Sequence, residues 1–433
     1  MWKLINKEYI ITVSYGNYSG SKAGTDKLIG SHVDMFLKNG ISCVHIFPIY
    51  RKVFKHGISV KNIWGVYIDN CTFDVMSTES IINSISSDQH QHKLVAIFIH
   101  HLNNINLDSL NRIVNCNNSD LFFYIHDFFT ICPASGLISS KKGFCGQTFP
   151  SNDKCIKCDY YSNQIQKRTK EIREFLSSIS DRCIFVSPSK AAEEIWTSCY
   201  PKYCKKVTVI PHQVGSGSYR ENLEKLNGRE IRIAFVGYQN TLKGWSYWEK
   251  AVLNAYNKKL NYKFFQFGTC STHYPFIEEK QIDLNENTMT DVLRKEKIDC
   301  AVLWSIIPET YSYTFFEAYS ANCYILTNEF SGNIAIKVAE INNGYIAHNA
   351  NELESILDND IELAALINKF KTSNNYGPKS LITNMDVLNL LNAKREFKAR
   401  GTNACTGNFL KEKIILACYS TVKILKGKTK GRL

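Results

Sequence analysis

Two carboxylates stand eight positions apart in Pro308-Glu309-Thr310-Tyr311-Ser312-Tyr313-Thr314-Phe315-Phe316-Glu317-Ala318. The segment follows an apolar run at 300–304 that reads as a buried strand, and its pattern turns helical from Thr314. Glu309 then lies in a strand-to-helix loop and Glu317 on the first turns of the helix. Both can face one crevice at the carboxyl end of a parallel sheet, where such sheets bind ligands. Carboxylates accept hydrogen bonds from hydroxyls, so the pair suits a polyhydroxylated ligand. A capping acid followed by an ordinary solvated helix glutamate has the same spacing.

Other residues fit the same chemistry. Gly237 ends an apolar run at 231–236, and Lys243-Gly244-Trp245 leads into a helix soon after. A glycine that permits close backbone approach, with a cation near a helix start, suits a phosphate. Near the N-terminus, Gly16, Gly20 and Gly24 punctuate the turn before a helix from Thr25. Their spacing is neither a dinucleotide fingerprint nor a P-loop. They can bend over a ligand or form a plain turn. His126-Asp127 follows the apolar run 121–125, again at a strand end, where a histidine either binds a sugar or carries a proton, or is structural. Cys132, Cys145, Cys155 and Cys158 form a C-x12-C-x9-C-x2-C series in a polar loop. Four thiolates can hold a structural zinc with no position left open for catalysis; otherwise they are unliganded thiols.

These residues need a sheet to position them. Short apolar runs alternate with helical stretches, the pattern of parallel strands joined by crossover helices. Strands are expected at 9–14, 41–47, 94–100, 121–125, 183–187 and 207–210, and a second series at 231–236, 262–267, 300–304 and 323–327. The Pro/Gly/Ser-rich stretch 211–218 reads as the linker between the two series. Three regions follow: 1–212 with its Cys-rich loop 132–158, 213–375, and a helical closing region with a basic tail, 376–433. Two domains also fit a chain of 433 residues.

With 44% hydrophobic and 12% aromatic residues the composition is that of a packed globular protein. No apolar run approaches the roughly 18 residues of a spanning helix. Residues 1–7 lack the apolar stretch of a signal peptide, so the expected location is cytoplasmic, with the fifteen cysteines reduced. The net charge of +12 is concentrated at the C-terminus, where Lys411, Lys413, Lys423, Lys426, Lys428, Lys430 and Arg432 crowd together. No arginine stripe with interleaved aromatics and no nucleic-acid motif accompanies it, so no nucleic acid is expected. An anionic membrane surface and phosphate ligands fit better. Leu410, Ile414, Cys418, Val422 and Leu425 form a helical stripe, either a closing helix or an interfacial amphipathic one.

In combination these segments resemble the family-4 glycosyltransferases of bacterial surface-polysaccharide biosynthesis. Glu309 to Glu317 is similar to the family's E-x7-E motif, and Gly237…Lys243-Gly244 to its phosphate-binding turn. His126-Asp127-Phe128-Phe129…Cys132-Pro133 resembles a segment of one branch of the family. Phe185-Val186-Ser187-Pro188-Ser189 and Ile210-Pro211 resemble the usual end of its first domain. The resemblance implies an α/β GT-B fold: two Rossmann-like domains facing a central cleft, with C-terminal helices. It implies a retaining hexosyltransferase-like enzyme of EC class 2.4, acting on a nucleotide-sugar donor and a lipid-linked oligosaccharide such as growing O-antigen or capsule. No cofactor is then required for catalysis, and the enzyme sits peripherally on the cytoplasmic face of the inner membrane.

Carried to this sequence, the resemblance implies that Glu317 holds the donor ribose and Glu309 contacts the sugar near the reacting centre. It implies that Lys243 neutralises the leaving diphosphate and His126 contacts the transferred sugar. Gly237, Thr310 and Tyr311 complete the donor site, and Gly20, Gly24 and Thr25 lie near the acceptor. Three positions depart from the family pattern. Tyr238 and Gln239 stand where a cation is usual, His212-Gln213 replaces an Asn-Gly, and a glycine near Asn322 is missing. Competing readings are a non-catalytic sugar-nucleotide or partner-binding protein of this fold, and a zinc-stabilised nucleic-acid-binding protein. The latter leaves the two strand series unexplained.

Overall fold

The computed structural model describes residues 2–20, 24–52, 57–87, 91–139, 143–146, 155–218, 224–281, 288–373 and 375–401. The first strand series is β1 (Glu8–Val13), β2 (Ile41–Lys52), β3 (Gly57–Ile68), β4 (Thr72–Ser77), β5 (Lys93–Ile99), β6 (Asp120–Tyr124), β7 (Cys183–Ser187) and β8 (Val207–Val209). They form one sheet in the order β4-β3-β2-β1-β5-β6-β7-β8. From β2 to β8 the pairing is parallel; β3 and β4 add an antiparallel edge. Every residue of β6 and of β7 is buried. Strands covered on both faces read as continuous apolar runs, which is why they stand out in the sequence.

After β9 (Gln213–Ser218) the chain builds a second sheet from β10 (Ile231–Val236), β11 (Tyr262–Phe267), β12 (Ile277–Lys280), β13 (Cys300–Val302), β14 (Tyr324–Asn328) and β15 (Gly344–Ala347). Its order is β12-β11-β10-β13-β14-β15, with every pair parallel. Numbered within this sheet the order is 3-2-1-4-5-6, that of a Rossmann fold, and the order reverses between β10 and β13. Alternate residues of β10 enter different cores. Ile231, Ile233 and Phe235 pack with Trp248 and Val302, whereas Ala234 and Val236 pack with Phe265 and Leu303. Asp299, just before β13, is buried with a two-bond pairing to Arg229 (2.7 Å each) and a 2.6 Å contact from buried Lys371. The carboxylate is thereby compensated on both sides.

Three expectations change. The stretch 211–218 is not a free linker, because β9 pairs antiparallel with β16 (Pro378–Thr383). The helical region expected from 376 therefore opens with a strand, and helix Asp386–Gly401 follows. Gly/Ser composition does not exclude a two-stranded ribbon, and the partner is too distant in sequence to be seen locally. The β3–β4 hairpin was not expected either; Phe73 and Val75 on β4 are exposed, so that strand lacks the continuous burial that marks the others. Among the described residues, those up to Asn384 form one compact unit and those from Met385 a second. The basic stripe at 408–433 lies outside the described residues. No helix among the described residues is long and apolar enough to cross a membrane.

Candidate functional site

The loops after β10 and β13 meet where the second sheet reverses its order. From β10 the chain passes Gly237 into a short turn, Thr241–Lys243, capped by the Asn240 side chain, which accepts from the Leu242 amide at 2.7 Å. Gly244 follows at φ +81°, and helix Trp245–Asn257 begins. A Cβ on Gly244 would lie 2.1 Å from the Trp304 carbonyl oxygen, so only glycine closes this turn against the end of β13. The turn delivers Lys243 to Glu309: Nζ and Oε1 are 2.5 Å apart.

Glu309 is held by its backbone. Its amide donates to the Ser331 carbonyl at 3.2 Å, and its carbonyl accepts from the Asn333 amide at 2.9 Å. Gly332 between them adopts φ +64°, and a Cβ there would stand 2.7 Å from the Glu309 nitrogen. The turn after β14 thus sets the position of the carboxylate, a part of the site the sequence reading did not include.

Glu317 lies on helix Tyr313–Ser320, capped by Ser312, and a lysine from the first half of the chain meets it. Lys27 Nζ is 3.1 Å from Glu317 Oε1 and 4.5 Å from the centre of the Tyr313 ring. Each glutamate of the pair therefore carries its own lysine. Gly24 also stands against Tyr313, so the start of helix Gly24–Lys38, with Gly24 and Thr25, faces the start of helix Tyr313–Ser320. Gly20 ends the turn Tyr18–Gly20; residues 21–23, between it and the helix, are outside the described set.

His126 follows β6, and its backbone carbonyl accepts from the Thr310 hydroxyl at 2.5 Å. Its Nε2 is 3.0 Å from His100 Nδ1, so one ring donates and the other accepts. His126 also lies 5.5 Å from the His212 ring, itself 4.4 Å from Tyr311. Burial, then the neighbouring His212 and His101, hold His126 well below the ordinary 6.5, so it is neutral near pH 7. The Tyr311 hydroxyl accepts from the Gln213 amide at 3.2 Å. The Thr310 hydroxyl on the His126 carbonyl, and the Tyr311 ring beside His212, thus tie the second half of the chain to the first. Nearby, the Tyr15 hydroxyl donates to buried Asp26 at 3.3 Å; burial and that carboxylate push Tyr15 up to about 12.

With this geometry in place, known proteins supply the comparison. No protein-family model and no curated protein matches the chain. Solved structures do. Sucrose-phosphate synthase from Thermosynechococcus elongatus matches at TM-score 0.56 and 11% identity, covering 91% of this chain and 100% of that one. Anabaena HepE, solved with UDP and glucose, matches at TM-score 0.50 and 10% identity, covering 84% of this chain and 93% of that one. WaaG, a glycosyltransferase involved in lipopolysaccharide biosynthesis, matches at TM-score 0.50 and 11% identity over 84% and 94%. The chain has the GT-B fold.

Within this GT-B frame the three departures have distinct structural consequences. Tyr238 is exposed, while Gln239 is buried and spends its side chain on the 271–272 loop. Its Oε1 accepts from the Ser271 and Thr272 amides, at 2.7 Å each. Neither residue supplies a cation. Asn322 adopts φ +59°, the left-handed conformation a glycine would provide, which asparagine tolerates better than most residues. His212 fills the space beside Tyr311.

Of the expected zinc ligands, Cys145 is raised to about 11 by burial and then by Cys132 and Cys158, so the thiols are near one another. Their chemistry suits zinc, but among the described residues no three His, Cys, Asp or Glu side chains form a group able to hold a metal ion. Parts of the loop, 140–142 and 147–154, lie outside the described residues. Elemental analysis of protein purified without chelator decides the matter. Near-stoichiometric zinc identifies a loop staple; folded, metal-free protein leaves four plain thiols.

The sequence reading did not place Lys27, His100 or Gly332 at this site, and assigned no role there to His212 or Tyr313. His100-His101 stands at the end of β5 just as His126-Asp127 stands at the end of β6, so the same strand-end rule would have found it. Lys27 leaves no local signal, since its partner is 290 positions away.

Proposed function

We propose that the chain is a retaining glycosyltransferase that moves a sugar from a nucleotide-sugar donor to a carbohydrate acceptor. The observation that carries this reading is the meeting of Lys243 and Glu309 where the Rossmann-ordered sheet reverses, with Glu317 on the helix that follows and His126 tied to Thr310. Residues 213–375 form the donor half in this reading and residues 1–212 the acceptor half. Glu317 accepts from the ribose hydroxyls, and Glu309 faces the sugar ring, where positive charge develops as the glycosidic bond breaks. Lys243 stabilises the leaving diphosphate. The acceptor oxygen bonds to the anomeric carbon on the face the diphosphate leaves, and its proton passes to the leaving phosphate oxygen. No protein nucleophile and no metal enters these steps. His126, whose Nε2 is engaged with His100, has Nδ1 left to contact the transferred sugar in this reading.

Kinship with family 4, a lipid-linked oligosaccharide acceptor of the O-antigen or capsule kind, and docking at the cytoplasmic face of the inner membrane belong to the same proposal. They rest on the motif resemblance and on the basic segment 408–433. A catalytically silent sugar-nucleotide binder is the alternative favoured by the missing cation at Tyr238 and Gln239; release of nucleoside diphosphate during transfer separates the two.

Calorimetry tests the ribose assignment. Glu317→Ala should weaken nucleoside-diphosphate binding by about tenfold or more, because a charged hydrogen-bond acceptor is lost from ground and transition states alike. Unchanged affinity with a reduced rate contradicts the assignment.

A further inference from the structure

We propose that Lys27, contributed by the first half of the chain, is the second cation of the donor diphosphate and is parked on Glu317 until the donor arrives. The inference rests on the donor-site reading above and identifies what replaces the missing cation of its phosphate turn.

Between Gly237 and Gly244 the sole basic residue is Lys243, and that lysine already faces Glu309. A nucleoside-diphosphate sugar brings a negative charge on each of its two phosphoryl groups, so one lysine leaves the diphosphate under-compensated. Tyr238 has no charge, and the Gln239 amide is consumed by the 271–272 loop. The compensating charge has to enter from outside the turn.

Lys27 is placed to supply it. Its ammonium reaches across the cleft to Glu317 at 3.1 Å and lies over the Tyr313 ring. The four charges, Lys27 with Glu317 and Lys243 with Glu309, cancel without ligand. Ribose hydroxyls require Glu317 as a free acceptor, and phosphates require cations. A single exchange meets both needs: Lys27 leaves the carboxylate for the diphosphate, and Glu317 turns to the ribose. The lysine is 44% exposed and Glu317 only 12%, so the lysine is the partner free to move. Its flexible four-carbon stem allows the swing, with the Tyr313 face as a waypoint. Only Lys27 of the pair is substantially exposed, so melting temperature is read alongside affinity for every Lys27 variant. Because Lys27 lies one turn inside the helix that begins at Gly24, donor binding also draws the acceptor-side helix toward the donor half.

The test uses the full chain with Lys27→Met and Lys27→Arg, measuring UDP, GDP and ADP affinity by calorimetry and melting temperature as a folding control. For the nucleotide that wild type binds, Lys27→Met should weaken affinity about tenfold or more, with melting unchanged. Lys27→Arg should recover affinity to within about threefold, since the charge is kept. Affinity of Lys27→Met within about threefold of wild type, or tighter, overturns the role and makes Lys27 a bystander or a plain competitor of ribose. Failure of Lys27→Arg to recover binding also overturns it. If wild type binds none of the three nucleotides, the donor-site reading falls and this inference with it; wild-type binding that Lys27→Met retains removes this inference alone.

Discussion

Glu309→Gln abolishes sugar transfer and leaves the protein folded. Glu309 is 12% exposed, and its backbone is clamped on both sides by the turn at 331–333, so its carboxylate is positioned before any ligand arrives. Glutamine keeps the shape and removes the charge that opposes the cationic sugar in the transition state. Losses of preorganised electrostatic contacts of this type reduce turnover by about 10²–10³-fold. Folding should hardly change, because the group left without its ion partner, Lys243, is half-exposed and such pairs contribute about 1 kcal/mol or less. Turnover numbers and thermal melts of the two proteins check this. Near-normal transfer by the variant removes Glu309 from the reaction.

Mild acid is expected to destabilise the chain before most carboxylates titrate. His32, His45, His100 and His212 are 3%, 0%, 1% and 5% exposed. Burial lowers His32 to about 3, His45 to about 4 and His212 to about 3, and it holds His100 well below 6.5 with help from His126. His32 Nδ1, His100 Nε2 and His212 Nδ1 lack hydrogen-bond partners among the described residues, so no contact there rewards protonation. The sign follows from proton counting. Below about pH 6.5 the unfolded chain binds protons at these rings and the folded chain does not, so stability falls as pH falls. The loss continues until the folded values near 3 to 4 are reached. Each ring loses on the order of 1 kcal/mol by a pH near 5.5, together a sizeable part of the net stability of a domain. Urea melts between pH 7.5 and 5.5 should show this slope. A stability flat across that interval contradicts the buried neutral state of the cluster.

Much of the architecture is legible in the sequence because the central strands of both sheets are buried on both faces. The runs at 231–236, 262–267 and 183–187 coincide with β10, β11 and β7, and the other seven expected strands each fall on an observed one. Elements lacking that signature escape: the β3–β4 hairpin, the partly exposed edge strands β12 and β15, and the β9–β16 ribbon whose strands are separated by the whole second sheet. The site divides the same way. Glu309, Glu317, Lys243 and His126 follow strand ends that the apolar pattern reveals. Their partners Lys27, His100 and Gly332 are set by packing between distant segments, which no local pattern records. The four cysteines are a different case: their intervals bring the thiols near one another, and whether they hold a metal is decided by elemental analysis rather than by spacing.

The most direct measurement is release of nucleoside diphosphate from a panel of UDP-, GDP- and other activated sugars, with lipid-linked oligosaccharide extract as acceptor. The expected result is acceptor-dependent release from at least one donor by wild type, lost in Glu309→Gln. Binding of a nucleotide sugar without release from any donor contradicts a transferase and leaves a silent binder of the same fold.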